Sequence, residues 1–466
     1  MQFVCRASLM IVTTVAVRTS ADAQSGSSAA WRQYADPADA GYSAVKLEAA
    51  RRYADSVRSG AVMAVVRGSV LAAWGDVSRP LELHSVRKSI VSALYGIAAV
   101  DRKVDTSSTL LELGIDDRQP LTPQEKSARI SDLLAARSGV YLPAAYAGAD
   151  QDQSRPARGS HPPGTHFYYN NWDFNILGVI YERLTNTDFY EAFRDRLAGP
   201  LGMEDYRDGD GFRVYEPSGS LHPAHTLRLS ARDLARFGQL YLQGGLWNGR
   251  RLIPAEWVVA STTTRSEIGD GRGYAWLWWT YAPGSLGARY PTLDRMQAFA
   301  GSGTGGQFVL VIPGADMVIV HRGDTDHGRN VSGRDVWTIA EMIASARDGL
   351  PKVSPELVPM QRDSLASQVP AVPRPTYVAI DSTLMAEYAG EYTIAPGVDA
   401  RVFVFERRLF ANFPGQGEAE LLGLSRSEFT IRPVPGVRVR FDRDASGKVT
   451  GMSGNIGPQQ FRGTRK

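Results

Sequence analysis

Two pairs of apolar, β-branched runs constrain this chain more than anything else in it. Ala61–Val66 and Val70–Trp74 are separated by Arg67-Gly68-Ser69, and Phe308–Pro313 and Met317–His321 by Gly314-Ala315-Asp316. Each pair reads as a hairpin: two strand-length runs joined by a glycine-bearing turn. Ahead of the first lies an amphipathic stretch, residues 44–58, with Val45, Ala49, Tyr53 and Val57 at helical spacing. Behind the second, Arg334–Ala346 puts Val336, Ile339, Ala340 and Ile343 on one side of a helix. Helix and hairpin open the unit, and hairpin and helix close it. An antiparallel sheet with helices packed on it, its two ends meeting, suits this order, and the expected class is α+β.

At 466 residues the chain is longer than one ordinary domain. Residues 30–348 form the expected main unit. Pro351, Pro355, Pro359, Pro370, Pro373 and Pro375 then interrupt a polar segment without a sustained period, so 349–383 reads as a proline-rich linker. Residues 384–466 hold short strand-like runs: Tyr388–Ile394, Ala400–Phe405, Arg408–Phe413, Glu428–Ile431, Val437–Phe441 and Lys448–Met452. Regular short strands predict a small all-β barrel or sandwich.

The N-terminus has the pattern of an export leader. Arg6 precedes an apolar stretch (Leu9–Val12, then Val15–Val17), and Ala21-Asp22-Ala23 fits a small-x-small cleavage site. Residues 1–23 are thus expected to be a signal peptide, and the protein to be periplasmic or secreted. The one cysteine, Cys5, falls inside that segment, which leaves the mature chain no disulfide and no thiolate chemistry. No later run is long enough to span a membrane. The net charge of +3 comes without a lysine-rich block or a basic helix, which argues against nucleic-acid binding. His161 and His166 stand five apart in a proline-bearing loop without a third ligand, so neither a metal nor a cofactor is expected.

Chemistry enters at Ser85-Val86-Arg87-Lys88, which heads an apolar, helix-like run (Ile90, Val91, Ala93, Leu94, Ile97, Ala98). Residues i and i+3 share one helix face, so the amine can sit beside the hydroxyl. A serine is a poor nucleophile until a neighbouring base takes its proton, and a desolvated lysine can be that base. Ser43-Ala44-Val45-Lys46 has the same spacing but belongs to the first helix, with no sheet before it. A second element, Pro163-Gly164-Thr165-His166-Phe167-Tyr168-Tyr169-Asn170-Asn171, contains Tyr-x-Asn in two registers. A third, Ala300-Gly301-Ser302-Gly303-Thr304-Gly305-Gly306-Gln307, runs into the second hairpin, and a glycine-rich strand lets a substrate approach the backbone. Trp276, Trp278 and Trp279 read as a core-facing strand or, for one or two of the rings, as a pocket wall. Loops between Val140 and Pro163 and around Asp270 to Trp279 are expected to shape that pocket.

Together these elements resemble the serine beta-lactamase and penicillin-recognising hydrolase superfamily, most closely its class C-like, esterase and D-alanyl-D-alanine carboxypeptidase branch, over most of residues 40–347. The resemblance implies a beta-lactamase/transpeptidase-like sheet with packed helices plus an all-helical region. Ser85 and Lys88 match the family's Ser-x-x-Lys. Counting back from Leu177-Gly178 selects Tyr169 and Asn171 for its Tyr-x-Asn, and Leu133-Leu134 with Ser138-Gly139 also look like a family sequence near the site. The resemblance implies Ser85 as nucleophile, Lys88 as base and Tyr169 as proton shuttle, with the question of which of the pair is the primary base left open. It implies an oxyanion hole from the N–H groups of Ser85 and Thr304, each donor worth roughly 3 kcal/mol in the transition state. Asn171, Ser302, Gly303 and Thr304 would bind or position the substrate.

The third motif departs from the family. Gly301 stands where Lys or His commonly precedes Ser/Thr-Gly, and a cation there would help hold a substrate carboxylate. That favours hydrolysis of a small ester or amide over the alternatives, a D-Ala-D-Ala carboxypeptidase or beta-lactamase acting on a peptide or lactam, or an inactive penicillin sensor. The C-terminal unit, with Tyr388-Ala389-Gly390-Glu391-Tyr392, resembles the lipocalin-like extensions of some of these hydrolases.

Overall fold

In the computed structural model, which describes residues 30–361, 363, 375–414, 417–431, 436–456 and 459–466, the two hairpins lie side by side in one sheet. The chain enters with strand β1 (Arg32–Tyr34) and helix α1 (Ala44–Ser56). The first hairpin follows as β2 (Ser59–Val66) and β3 (Ser69–Gly75). A short strand, β4 (Leu81–Glu82), and a single 3-10 turn, His84–Val86, lead into α2 (Arg87–Val100). After short helices and long loops come α3 (Asn171–Thr185), β5 (Gly211–Val214), β6 (Ala224–Leu229) and α4 (Ala231–Leu242). Strands β7 (Ser266–Gly269), β8 (Arg272–Tyr274), β9 (Trp279–Tyr281) and β10 (Ala298–Gly303) precede the second hairpin, β11 (Gln307–Ile312) and β12 (Met317–Gly323), and helix α5 (Gly333–Ala344). With β13 (Leu357–Pro359), ten of these strands form one sheet in the order β13-β1-β3-β2-β12-β11-β10-β9-β8-β7. Its pairings are antiparallel except that of β1 with β3.

The hairpin runs are continuously apolar because the sheet is covered on both faces. Val62, Ala64, Leu310 and Ile319 pack with Leu47 and Ala50 of α1 and Ile339 and Ile343 of α5 on one face. Met63, Val65, Val309 and Val318 pack with Ile90 and Leu94 of α2 and Leu234 and Phe237 of α4 on the other. The two ends of the unit meet, with Ser43 N–H donating to the Ala346 carbonyl at 2.9 Å. Within the stretch read as a linker, β13 adds to the sheet edge beside β1.

A short helix, α6 (Ser382–Tyr388), leads into a closed eight-stranded barrel. Its strands are β14 (Gly390–Ala395), β15 (Val398–Phe405), β16 (Arg408–Phe413), β17 (Gly417–Gly423), β18 (Glu428–Ile431), β19 (Arg438–Arg443), β20 (Val449–Ile456) and β21 (Gln459–Arg465). Tyr388, expected to open the first strand, instead ends α6 and stacks on Phe441 with ring centroids 4.1 Å apart. Strands β17 and β21 were not legible as strands. The interior is filled by Tyr392, Val402, Phe429, Phe441 and Met452. The expected leader, residues 1–23, lies outside the described residues. No helix among the described residues is long and apolar enough to cross a membrane.

Candidate active site

Ser85 is aimed by the turn that carries it. Leu83 N–H donates to the Leu227 carbonyl of β6 at 2.9 Å, pinning the chain. His84 then takes a left-handed conformation, φ +47°, uncommon outside glycine. Ser85 emerges half-buried at the head of α2, a helix whose residues are buried from Arg87 to Ala98. One turn on, Lys88 is 2% exposed; its Nζ donates to Ser85 Oγ at 2.8 Å and to Tyr169 Oη at 2.6 Å. Burial, with the Arg87 cation beside it, holds the Lys88 amine well below its ordinary range. Ser43, the rival, caps α1 by accepting from Lys46 N–H, while exposed Lys46 pairs with Asp348.

Tyr169 ends the extended segment before α3. Its ring lies 5.3 Å from Trp279, 4.9 Å from Phe174 and 5.8 Å from Tyr274, and burial pushes its phenol up to about 12. The other register is spent elsewhere. Tyr168 Oη donates to the Gln151 carbonyl at 2.5 Å, and Asn170 caps α3 by accepting from Trp172 N–H.

Strand β10 comes in beside the serine. A Cβ on Gly303 would fall 2.6 Å from the Leu83 carbonyl oxygen and 2.9 Å from Ser85 N, so only glycine lets the strand approach this closely. Ser302, Gly303 and Thr304, with Ser85, Tyr169 and Trp279, line a cleft of about 360 Å³. Gln307, Phe308, Val331, Val336 and Trp337 also line it, and no charged side chain lines it among the described residues. Among the described residues the loops at 140–163 contribute none to this lining, and β11 and the start of α5 supply part of it.

A family model, Beta-lactamase, matches residues 45–328. The chain belongs to the beta-lactamase family. The motif-bearing elements α2, the start of α3 and β10 all fall inside the matched span of the beta-lactamase domain. Penicillin-binding protein 4 of Amycolatopsis lactamdurans is 27% identical over 190 residues, covering 34% of this chain and 47% of its own. The chain thus spans about half the length of that curated relative. Among solved structures, the octameric penicillin-binding protein homologue from Pyrococcus abyssi is 15% identical over 90% of this chain and 99% of its own, with a TM-score of 0.49. A class C beta-lactamase mutant is 16% identical over 65% and 96%, with a TM-score of 0.47. Membership points in general to serine hydrolase or acyl-transfer chemistry.

Other expected site residues of this beta-lactamase-family chain sit further out. Asn171 does not line the cleft; its Nδ2 donates to the Tyr146 carbonyl at 2.5 Å. Ser138 Oγ donates to buried Asp173 at 2.5 Å, bracing the start of α3. The three tryptophans do not form one strand. Leu277, left-handed at φ +68°, turns the chain between β8 and β9, so Trp278 is buried, Trp276 packs on Trp257 and Trp279 reaches the cleft. Sequence reading missed a polar layer behind Ser85. Tyr146 Oη donates to Glu82 Oε1 at 2.5 Å and lies 2.8 Å from His84 Nδ1, and His84 Nε2 lies 3.2 Å from Thr325 Oγ1. Burial holds the Glu82 carboxyl above its usual range, and burial with nearby Arg322 drops His84 to about 4. Its one sequence signal is His84 itself, next to the serine.

Proposed function

We propose that this protein hydrolyses a small, uncharged ester or amide through a covalent acyl-enzyme on Ser85, after export to the periplasm or medium. The observation that carries the reading is the Lys88 amine, within 2.8 Å of Ser85 Oγ and 2.6 Å of Tyr169 Oη. The amine is held well below its ordinary range and the phenol is pushed up to about 12, so of the two Lys88 is the group that gives up its proton at lower pH and can then accept one. Ser85 Oγ adds to the substrate carbonyl as its proton passes to Lys88 Nζ. The oxyanion takes hydrogen bonds from the N–H groups of Ser85 and Thr304. The tetrahedral adduct collapses, the C–O or C–N bond breaks, and the leaving group takes a proton from Tyr169, which Lys88 replenishes. Water then attacks the acyl-enzyme by the same route in reverse, releasing the acid and restoring Ser85. The uncharged lining and Gly301 support a neutral substrate, since a substrate carboxylate would meet no cation among the described lining residues.

The likeness to a penicillin-binding protein favours a second reading, a penicillin-recognising peptidase or beta-lactamase. Intact mass during turnover of p-nitrophenyl esters and one penicillin, with wild type and Ser85→Ala, separates them. Ester turnover lost in the variant, with little penicillin effect, is expected. A stable penicilloyl adduct would select the peptidase and rapid penicillin turnover the beta-lactamase. Turnover surviving Ser85→Ala would refute the mechanism.

A further inference from the structure

Phe410 is out of place in an isolated barrel. Its neighbours on β16, Leu409, Ala411 and Phe413, fill the interior, so strand alternation turns Phe410 outward. An outward phenylalanine would face water, yet Phe410 is 0% exposed. Phe403 and Phe405 of β15 cover part of it, at 5.6 and 6.2 Å between ring centroids. Tyr215, which follows β5 in the catalytic unit, covers it edge-on at 6.1 Å and 74°. Arg408 lays its guanidinium 4.4 Å over the same Tyr215 ring, and Glu418 accepts from Ser218 N–H at 2.8 Å. The barrel therefore grips the segment from Tyr215 to Ser218.

Between those two contacts stands Glu216, whose Oε1 accepts from Tyr146 N–H at 2.8 Å. Tyr146 is left-handed at φ +60°, a conformation that costs a side-chain-bearing residue roughly 1–2 kcal/mol and persists where the surroundings hold it. Glu216 holds its N–H and Asn171 its carbonyl, while Glu82 and His84 hold its hydroxyl. Arg87 places its guanidinium 5.9 Å over the ring. One side chain thus touches the residue before Ser85 and the second residue after it, and its backbone anchors Asn171, two residues beyond Tyr169.

We propose that Tyr146 is a positioning residue for Ser85, and that docking of the C-terminal barrel on Tyr215 and Ser218 keeps it in place through Glu216. This rests on the serine hydrolase reading. The barrel is then a working part of the site, though none of its described residues lines the cleft.

The test uses the full chain, with two readouts: the second-order rate of Ser85 labelling by a fluorophosphonate, read by intact mass, and kcat and KM for a p-nitrophenyl ester. Tyr146→Phe keeps the ring and removes both hydroxyl contacts; labelling and kcat should fall about tenfold, one hydrogen bond's worth, with KM little changed. Glu216→Ala should do the same, and Glu216→Gln, which keeps an acceptor oxygen, should recover most of the loss. On the barrel, Phe410→Ala and the milder Glu418→Ala, which removes the acceptor for Ser218 N–H, should lower kcat and labelling in the same sense with KM unchanged. Phe410→Ala combined with Tyr146→Phe should lose less than the product of the two losses, as sites sharing one path do. Wild-type labelling in both barrel variants, measured well below their melting temperatures, would overturn the proposal, as would losses that simply multiply. Failure of the hydrolase reading looks different: wild type itself would not label at Ser85.

Discussion

The Trp279 indole lies on the Tyr169 ring, with centroids 5.3 Å apart and planes 25° from parallel. Together with Phe174 and Tyr274, which also pack on the ring, this contact holds the phenol in place, and it forms part of the cleft wall. Such ring pairs are worth about 0.5–1.5 kcal/mol beyond the area they bury. Trp279→Ala should therefore lower kcat/KM for a neutral ester by about tenfold, and Trp279→Phe by much less, since it keeps a ring there. Steady-state kinetics of the two variants check this; equal losses would mean that ring stacking does not hold Tyr169.

Gly301 lacks the basic side chain common in the family, and its neighbours have filled the space. A Cβ there would stand 3.0 Å from Ser89 Oγ, 3.1 Å from Val309 Cγ1 and 3.3 Å from Val86 Cγ1. Gly301→Lys should thus strain the packing between β10 and α2, costing about 1–3 kcal/mol of stability as overpacked cores do. It should not create penicillin turnover. Chemical denaturation and a penicillin hydrolysis assay test the two halves, and turnover of penicillin by Gly301→Lys would show that one missing cation is all that separates this cleft from a lactamase.

The hairpins, α2 and the serine–lysine spacing were legible because each is a local pattern: continuous apolar runs, a helical period, one turn between two polar groups. Tyr169 was separable from Tyr168 only through family spacing, since both sit in one extended segment. Trp279 was ambiguous because the left-handed turn at Leu277, which sends three neighbouring indoles in three directions, uses no glycine. Tyr146 was invisible for the same reason: its left-handed backbone has no sequence marker, and Glu82, Asn171 and Glu216 are brought to it by tertiary folding. In the barrel, β17 and β21 escaped because few of their residues face inward. Leu421 and the partly buried Phe461 pack on the interior among mostly polar neighbours, too few for an alternating pattern.

On the proposed mechanism, Lys88 trades stability for reactivity. Its amine is held well below the ordinary value in the folded chain and returns to it on unfolding. Between those two values the unfolded state binds the extra proton, so stability rises with pH there and the penalty is greatest on the acid side. Lys88→Met, of similar length and without charge, removes that penalty. It should abolish Ser85 labelling yet raise the melting temperature near neutral pH, since the amine's burial cost is then gone. The gain should shrink as pH is raised toward that of a free lysine. Thermal melts of both proteins across pH measure this, and a variant less stable than wild type at every pH would mean that the bonds to Ser85 and Tyr169 outweigh the cost of burying the amine.

The same amine sets the expected pH profile of acylation. Lys88 must be neutral to take the Ser85 proton, so kcat/KM should rise with pH through the depressed value of Lys88 and then stay level. Tyr169, pushed up to about 12, should remain a phenol across that plateau, so no alkaline fall is expected until close to that value. His84, lowered to about 4 and behind the serine, would add only at the acid extreme. Arg87 offers a way to assign the acid limb. It is buried, it donates to Asn175 Oδ1 at 3.1 Å, and its charge adds to burial in lowering Lys88. Arg87→Met removes that charge, so the Lys88 amine should hold its proton to higher pH and the rising limb should move upward. Burst-phase acylation rates of wild type and Arg87→Met over a wide pH range decide the matter. A limb that stays put, or moves to lower pH, would assign the proton transfer to a group other than Lys88.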